Sequence, residues 1–138
     1  MTIAILAPLF VQVALTFGLL FWMGSLRIRA LQERQLRIRD IALGEPNWPQ
    51  RAIQIQRAYE NQFELPVLFY VLVALALATG RVTAALVVLS AAFVVARLAH
   101  AFIHTTSNAV PLRFWAYCVG LAVLVAMWAW FLMLVVAR

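Results

Sequence analysis

Four apolar runs dominate this chain, and two of them are too short to cross a bilayer without drawing an ionisable side chain in with them. A crossing helix needs about 20 consecutive residues. The uncharged run from Leu65 to Gly80 has 16 and the run from Val82 to Ala96 has 15. The first must therefore be extended back over Glu64 and the second forward over Arg97. A charged side chain at a helix centre costs roughly 2.5 to 3.5 kcal/mol on insertion scales, and such residues face the bundle interior or a wet cavity rather than acyl chains. Glu64 and Arg97 thus mark a polar site within the membrane.

The other two runs, Ile3 to Leu26 and Phe114 to Ala137, carry no charged residue over 24 positions each. With 66% hydrophobic residues, against roughly 45 to 50% in soluble domains, the chain reads as an all-α integral membrane four-helix bundle. Residues 1–138 form one transmembrane domain, with spans expected at 3–26, 60–80, 82–104 and 112–137. The first run is expected to be a retained span rather than a secretory signal. It has no basic n-region, exceeds the usual ~7 to 15-residue apolar core, and meets arginines without an A-x-A-like cleavage site. The one cysteine, Cys118 in the fourth span, leaves no intrachain disulfide to form.

The formal charge of +6 comes from eleven basic residues, all arginine, and five acids. Such a balance could signal nucleic-acid binding, but its distribution argues against that. Arg27, Arg29, Arg34, Arg37, Arg39, Arg51 and Arg57 all fall between the first and second spans, and the positive-inside rule places that connection, residues 27–58, in the cytoplasm with both termini outside. For most of them, topology and contact with anionic lipid are sufficient reasons to be there. Trp22, Trp115, Trp128 and Trp130 fit interfacial belts. A helix is expected to continue from Ser25 to Asp40 along the headgroups. The stretch Gly44-Glu45-Pro46-Asn47-Trp48-Pro49 reads as a turn, with a new helix near Gln50. Pro66 is expected to kink that helix inside the membrane. Short turns are expected at Gly80-Arg81 and from Thr105 to Pro111.

On the second crossing Gln54, Arg57, Asn61 and Glu64 fall within a stripe about 80° wide, and on the third Arg97, His100 and His104 share one about 60° wide. Because the two crossings are antiparallel, both stripes open on the arginine-rich face, where Arg113 also begins the fourth. Glu64 and Arg97 reach similar depth, so a direct Glu64–Arg97 pair is expected. An interhelical clasp that merely fixes packing accounts for part of this constellation. It leaves Arg57, His104 and Arg113 as surplus positive charge, which in a partly dry cavity points to an anionic ligand. His100 and His104 have the spacing of a helical metal pair, but no carboxylate or cysteine accompanies them on that helix and H-E-x-x-H is absent, so no metal is expected. No Ser-His-Asp set, Gly-rich phosphate loop or CxxC occurs.

The stretch Arg57-Ala58-Tyr59-Glu60-Asn61-Gln62-Phe63-Glu64-Leu65-Pro66 resembles the R-A-x-x-N-x-x-E type signature, with a proline soon after, of the MAPEG family, the membrane-associated proteins of eicosanoid and glutathione metabolism. Ala96-Arg97-Leu98-Ala99-His100 and then Arg113 are similar to the end of the family's third helix and the start of its fourth. The resemblance covers essentially the whole chain. It implies a homotrimer binding glutathione at the subunit interface, and for a bacterial-type member an inner-membrane location. Arg57, Asn61 and Glu64 match the family's glutathione-contacting positions. His100 and His104 stand where leukotriene-conjugating members carry tyrosines, Arg97 belongs to the same polar seam, and Arg29 or Arg27 would close the pocket from the first helix. Arg113 is similar to the arginine that stabilises the thiolate, although the loop before it is longer here.

The resemblance implies a membrane-bound glutathione transferase, with peroxidase activity as an extension of the same chemistry. It would activate the glutathione thiolate for attack on an apolar electrophile or lipid hydroperoxide, in a detoxifying role. Free cysteine thiols titrate near 8.5, and a neighbouring guanidinium, charged throughout, lowers that value. The same family includes members that bind and present lipids without catalysis, such as the 5-lipoxygenase-activating protein, so a non-catalytic lipid- or small-molecule-binding protein is the alternative. A small four-helix multidrug exporter fits poorly, because its essential acid belongs in a first helix that is uncharged here.

Overall fold

Four helical stretches long and apolar enough to cross a membrane run through the computed structural model of the chain, which describes residues 1–42, 44 and 47–137. Helix α1 (Thr2–Gln32) makes the first crossing, and α2 (Gln50–Glu60) and α3 (Leu65–Ala78) together make the second. Helices α4 (Ala84–Thr105) and α5 (Val110–Val136) make the third and fourth. The described residues include no strand. In lipid this is the expected economy, since a helix satisfies its backbone polar groups within itself.

Helix α4 occupies the middle of the bundle, in contact with α1, α2 and α5. Its buried face changes character along its length. Leu86, Phe93 and Val94 pack the half away from the arginine-rich end, and Arg97, His100 and His104 continue the same face toward that end. Phe93 stacks on Phe69 of α3 with ring centroids 4.8 Å apart, and Ile5, Leu72, Val73, Leu124 and Met127 close this apolar core. Large apolar side chains such as Phe10, Phe21, Val88 and Phe102 point outward, which is the surface acyl chains require. At the start of α4 Thr83 caps the helix through its hydroxyl oxygen, which accepts from the Leu86 amide at 3.3 Å and from Trp130 Nε1 at 3.2 Å. Trp130 therefore ties α5 to the start of α4.

Helix α1 ends at Gln32 rather than continuing to Asp40. Arg34 adopts a left-handed φ of 54°, the Gln35 amide donates to the Ala30 carbonyl at 3.0 Å, and the Arg34 amide donates to Leu31 at 3.1 Å. This is a Schellman ending on a residue other than glycine. Only a short 3-10 turn, Ile38–Asp40, follows. Of the expected turn before α2, Glu45 and Pro46 lie outside the described residues, while Gly44 takes a φ of 85° and α2 begins at Gln50 as expected. Gly80 and Asn108, both at positive φ, make the short turns on either side of α4.

The second crossing is broken rather than kinked. A 3-10 turn at Asn61–Phe63 ends α2, Glu64 takes a non-helical conformation, and α3 restarts with Pro66 in its first turn. There a proline's missing N–H costs nothing. The break leaves the Asn61 carbonyl outside the regular ladder, available to another donor.

Candidate functional site

The donor that takes the Asn61 carbonyl is Arg97. This side chain is fully buried in α4, and its Nη2 donates to Asn61 O at 3.0 Å and to Asn61 Oδ1 at 2.6 Å, with Gln62 Oε1 at 3.4 Å. The Asn61 amide nitrogen donates in turn to Glu64 Oε2 at 2.9 Å. One amide thus joins the two charges, its oxygen toward the cation and its nitrogen toward the anion. The expected direct Glu64–Arg97 pair does not form. Among the described residues the single ion pair is Arg39 with Asp40, on the surface. The reason is the helix break: Glu64 leaves the bundle exposed, and Asn61, one turn earlier, lies between it and α4.

Two side chains that charge-based reading passed over extend this clasp into α1. Gln12 Nε2 donates to Gln62 Oε1 at 3.0 Å, and Gln62 Nε2 donates to the Ala58 carbonyl at 2.8 Å, with both glutamines buried. The available signal was an amide inside the first apolar run, because a buried amide needs a partner just as a charge does. Interhelical hydrogen bonds in membrane proteins average about 0.6 kcal/mol by double-mutant cycles, and Gln12 Oε1 has no protein partner. Gln12→Leu is therefore expected to change stability by less than about 1 kcal/mol in mixed-micelle unfolding. A loss twice that size would give Gln12 a role the clasp does not explain.

Arg57, His104 and Arg113 come together elsewhere, in a cavity of about 490 Å³ between α2, the end of α4 and the start of α5. Gln54 lines it, and together with Arg51, which lies outside its lining, satisfies the last carbonyls of α4. Arg51 Nη1 donates to Thr105 O at 2.6 Å, and Gln54 Nε2 donates to His104 O at 2.7 Å. Asn108, at φ 50°, bonds its amide back to Ile103 O at 2.8 Å and accepts Arg113 Nη1 on its side-chain oxygen at 2.5 Å. No acidic side chain lines this cavity. His100 lies beside it in α4, buried, its ring 5.7 Å from His104 and 5.9 Å from Tyr117 of α5.

A second cavity, of about 330 Å³, lies on the other side of Arg57 and is lined by Arg27, Trp48, Gln56 and Glu60. Arg27 donates to Gln56 Oε1 at 2.6 Å and stacks over Trp48 at 4.8 Å. Arg29 is exposed on α1 and lines neither cavity. The predicted site residues therefore divide. Asn61, Glu64 and Arg97 form the clasp, Arg57, His104 and Arg113 line the cavity, His100 adjoins it, and Arg29 stands apart. No group of three or more His, Cys, Asp or Glu side chains able to hold a metal ion occurs among the described residues.

No curated protein and no solved structure matches the chain. The family model described as MAPEG family matches residues 5–133, a range that takes in all four crossings together with the helix break, the clasp and the cavity, and the chain belongs to the MAPEG family.

Proposed function

We propose that the chain is a membrane-bound glutathione transferase whose substrate tripeptide occupies the cavity between α2, α4 and α5. The observation that carries this reading is the cavity's charge: two guanidinium groups and an imidazole line it, and no carboxylate does. Glutathione brings two carboxylates, one amine and one thiol, and a cavity of about 490 Å³ falls within the roughly 300 to 1,000 Å³ of small-molecule sites. Arg57 binds a carboxylate. Arg113 holds the sulfur as thiolate, and His104 and His100 border the site. Outside the cavity lining, Glu64, oriented by Asn61, receives the amine, and Arg97 acts through Asn61 as a positioning residue. Arg29, on α1, does not line this cavity. The thiol proton leaves to water, and the thiolate forms a carbon–sulfur bond with an apolar electrophile while the leaving group departs.

An exposed Glu64 on the surface of a single chain supports assembly, proposed here as a homotrimer, since a carboxylate facing acyl chains is costly. The arginine-rich end is assigned to the cytoplasm by the positive-inside rule, which gives glutathione access from that side. Apolar lipid-facing grooves between α1 and α4 and between α3 and α5 favour a second reading, a non-catalytic lipid-binding protein of the same fold.

Calorimetric binding of glutathione to detergent-purified protein, combined with its ultraviolet thiolate absorbance, separates these readings. A charge-assisted hydrogen bond contributes roughly 1.5 to 3 kcal/mol, so Arg57→Ala should weaken binding by about tenfold or more. Unchanged affinity in a well-folded Arg57→Ala variant rejects the site. Wild-type binding with neither thiolate nor conjugation favours the lipid-binding reading.

A further inference from the structure

We infer that the groove between α1 and α4 is a binding site for one anionic phospholipid of the leaflet on the arginine-rich side. The groove is apolar, encloses about 500 Å³, and runs from Leu15 to Trp22 on α1 and from Leu98 to Thr105 on α4. At 1.5 Å per residue its length is about 10 Å, roughly a third of the ~30 Å hydrocarbon core, at the end nearest the arginine-rich loop. Gly18 gives the groove its depth, because a Cβ added there would meet nothing within 4 Å.

Arg51 stands at the polar mouth. Its guanidinium lies 5.0 Å from the Trp22 ring centroid, and its Nη1 donates to Thr105 O at 2.6 Å and to Gln54 Oε1 at 2.9 Å. Both Trp22 and Thr105 also line the groove. Among the described residues no carboxylate pairs with Arg51, and no protein acceptor takes its Nε or Nη2. The result is a fixed cationic fork with free N–H groups directly above an acyl-sized slot. That combination suits a phosphodiester carrying net negative charge. A zwitterionic headgroup brings its own ammonium and gains less from an uncompensated arginine.

The test is native mass spectrometry of the intact protein released from detergent micelles containing phosphatidylglycerol or phosphatidylcholine with the same acyl chains. One phosphatidylglycerol per chain should be retained in preference to phosphatidylcholine. Each basic residue near a membrane surface contributes about 1 kcal/mol toward anionic lipid, so Arg51→Gln should lower phosphatidylglycerol affinity by about fivefold and leave phosphatidylcholine unchanged. Gly18→Leu fills the groove from a position with open space, and should reduce retention of both lipids without unfolding the chain. Equal retention of the two lipids by the wild type would overturn the inference, as would full retention in Gly18→Leu. So would efficient cross-linking between copies through Gly18→Cys in a Cys118→Ser background, which would make a second copy the occupant.

Discussion

Arg113→Leu is expected to lower the rate of glutathione conjugation by about 10²- to 10³-fold while changing glutathione affinity far less. The reason is differential binding. A guanidinium interacts with sulfur much more strongly as an anion than as a thiol, whereas in the proposed site the rest of the tripeptide is held by Arg57 and by Glu64. Asn108 anchors one nitrogen of Arg113 at 2.5 Å and so restricts where the charge can sit. Electrostatic stabilisers of this kind contribute on the order of 3 to 4 kcal/mol, and each unit of thiol pKa corresponds to about 1.4 kcal/mol. In the leucine variant the bound thiol should therefore titrate back toward its free value near 8.5. A pH titration of thiolate absorbance with glutathione bound, run beside conjugation of a generic aryl halide, measures both effects. If affinity and turnover fall together by the same factor, Arg113 is a binding residue only. If neither moves, it is a structural or headgroup contact.

Asn61→Leu should destabilise the bundle by about 2 to 3 kcal/mol, since it removes the side-chain acceptor at 2.6 Å from a fully buried guanidinium and charge-assisted hydrogen bonds are worth roughly 1.5 to 3 kcal/mol. Arg97 would retain the Asn61 backbone carbonyl and Gln62, so the loss should stop short of unfolding. Adding Arg97→Met to Asn61→Leu should recover much of it, because replacing a buried polar group together with its partner by apolar residues is often neutral. The readout is a double-mutant cycle from mixed-micelle unfolding followed by far-ultraviolet circular dichroism. Strictly additive losses would mean that Asn61 and Arg97 stabilise the bundle independently, and the clasp would be wrong.

Hydropathy and run length alone bring out the four crossings, because a backbone in lipid has few ways to satisfy itself and a helix of fixed rise must reach a fixed thickness. The same arithmetic places Arg97 inside the bundle: a run of 15 residues leaves it no other location, and the structure buries it completely. Helical periodicity also puts His104 on the same face as Arg97, and with Arg57 and Arg113 opening at the same membrane face, the three meet in one cavity.

Which partners these groups choose is decided by the tertiary structure. Depth alone matches Glu64 to Arg97, but the second crossing breaks at Asn61–Phe63, turns Glu64 outward, and puts the Asn61 amide between the two charges. Proline announces a disturbance in the helix without saying whether the chain will bend or stop and restart, since that depends on what donates to the freed carbonyl, and here the donor, Arg97, comes from α4. Helix α1 stops at Gln32 although its sequence carries no breaker, because a left-handed residue at Arg34 closes a Schellman turn. Amides escape hydropathy reading for a related reason: Gln12 and Gln62 carry no charge to count, and their place in the clasp exists only where two helices bring them within 3.0 Å. Periodicity is a property of one helix, while partnership belongs to the contact between helices, and that contact is set by packing rather than by any local stretch of sequence.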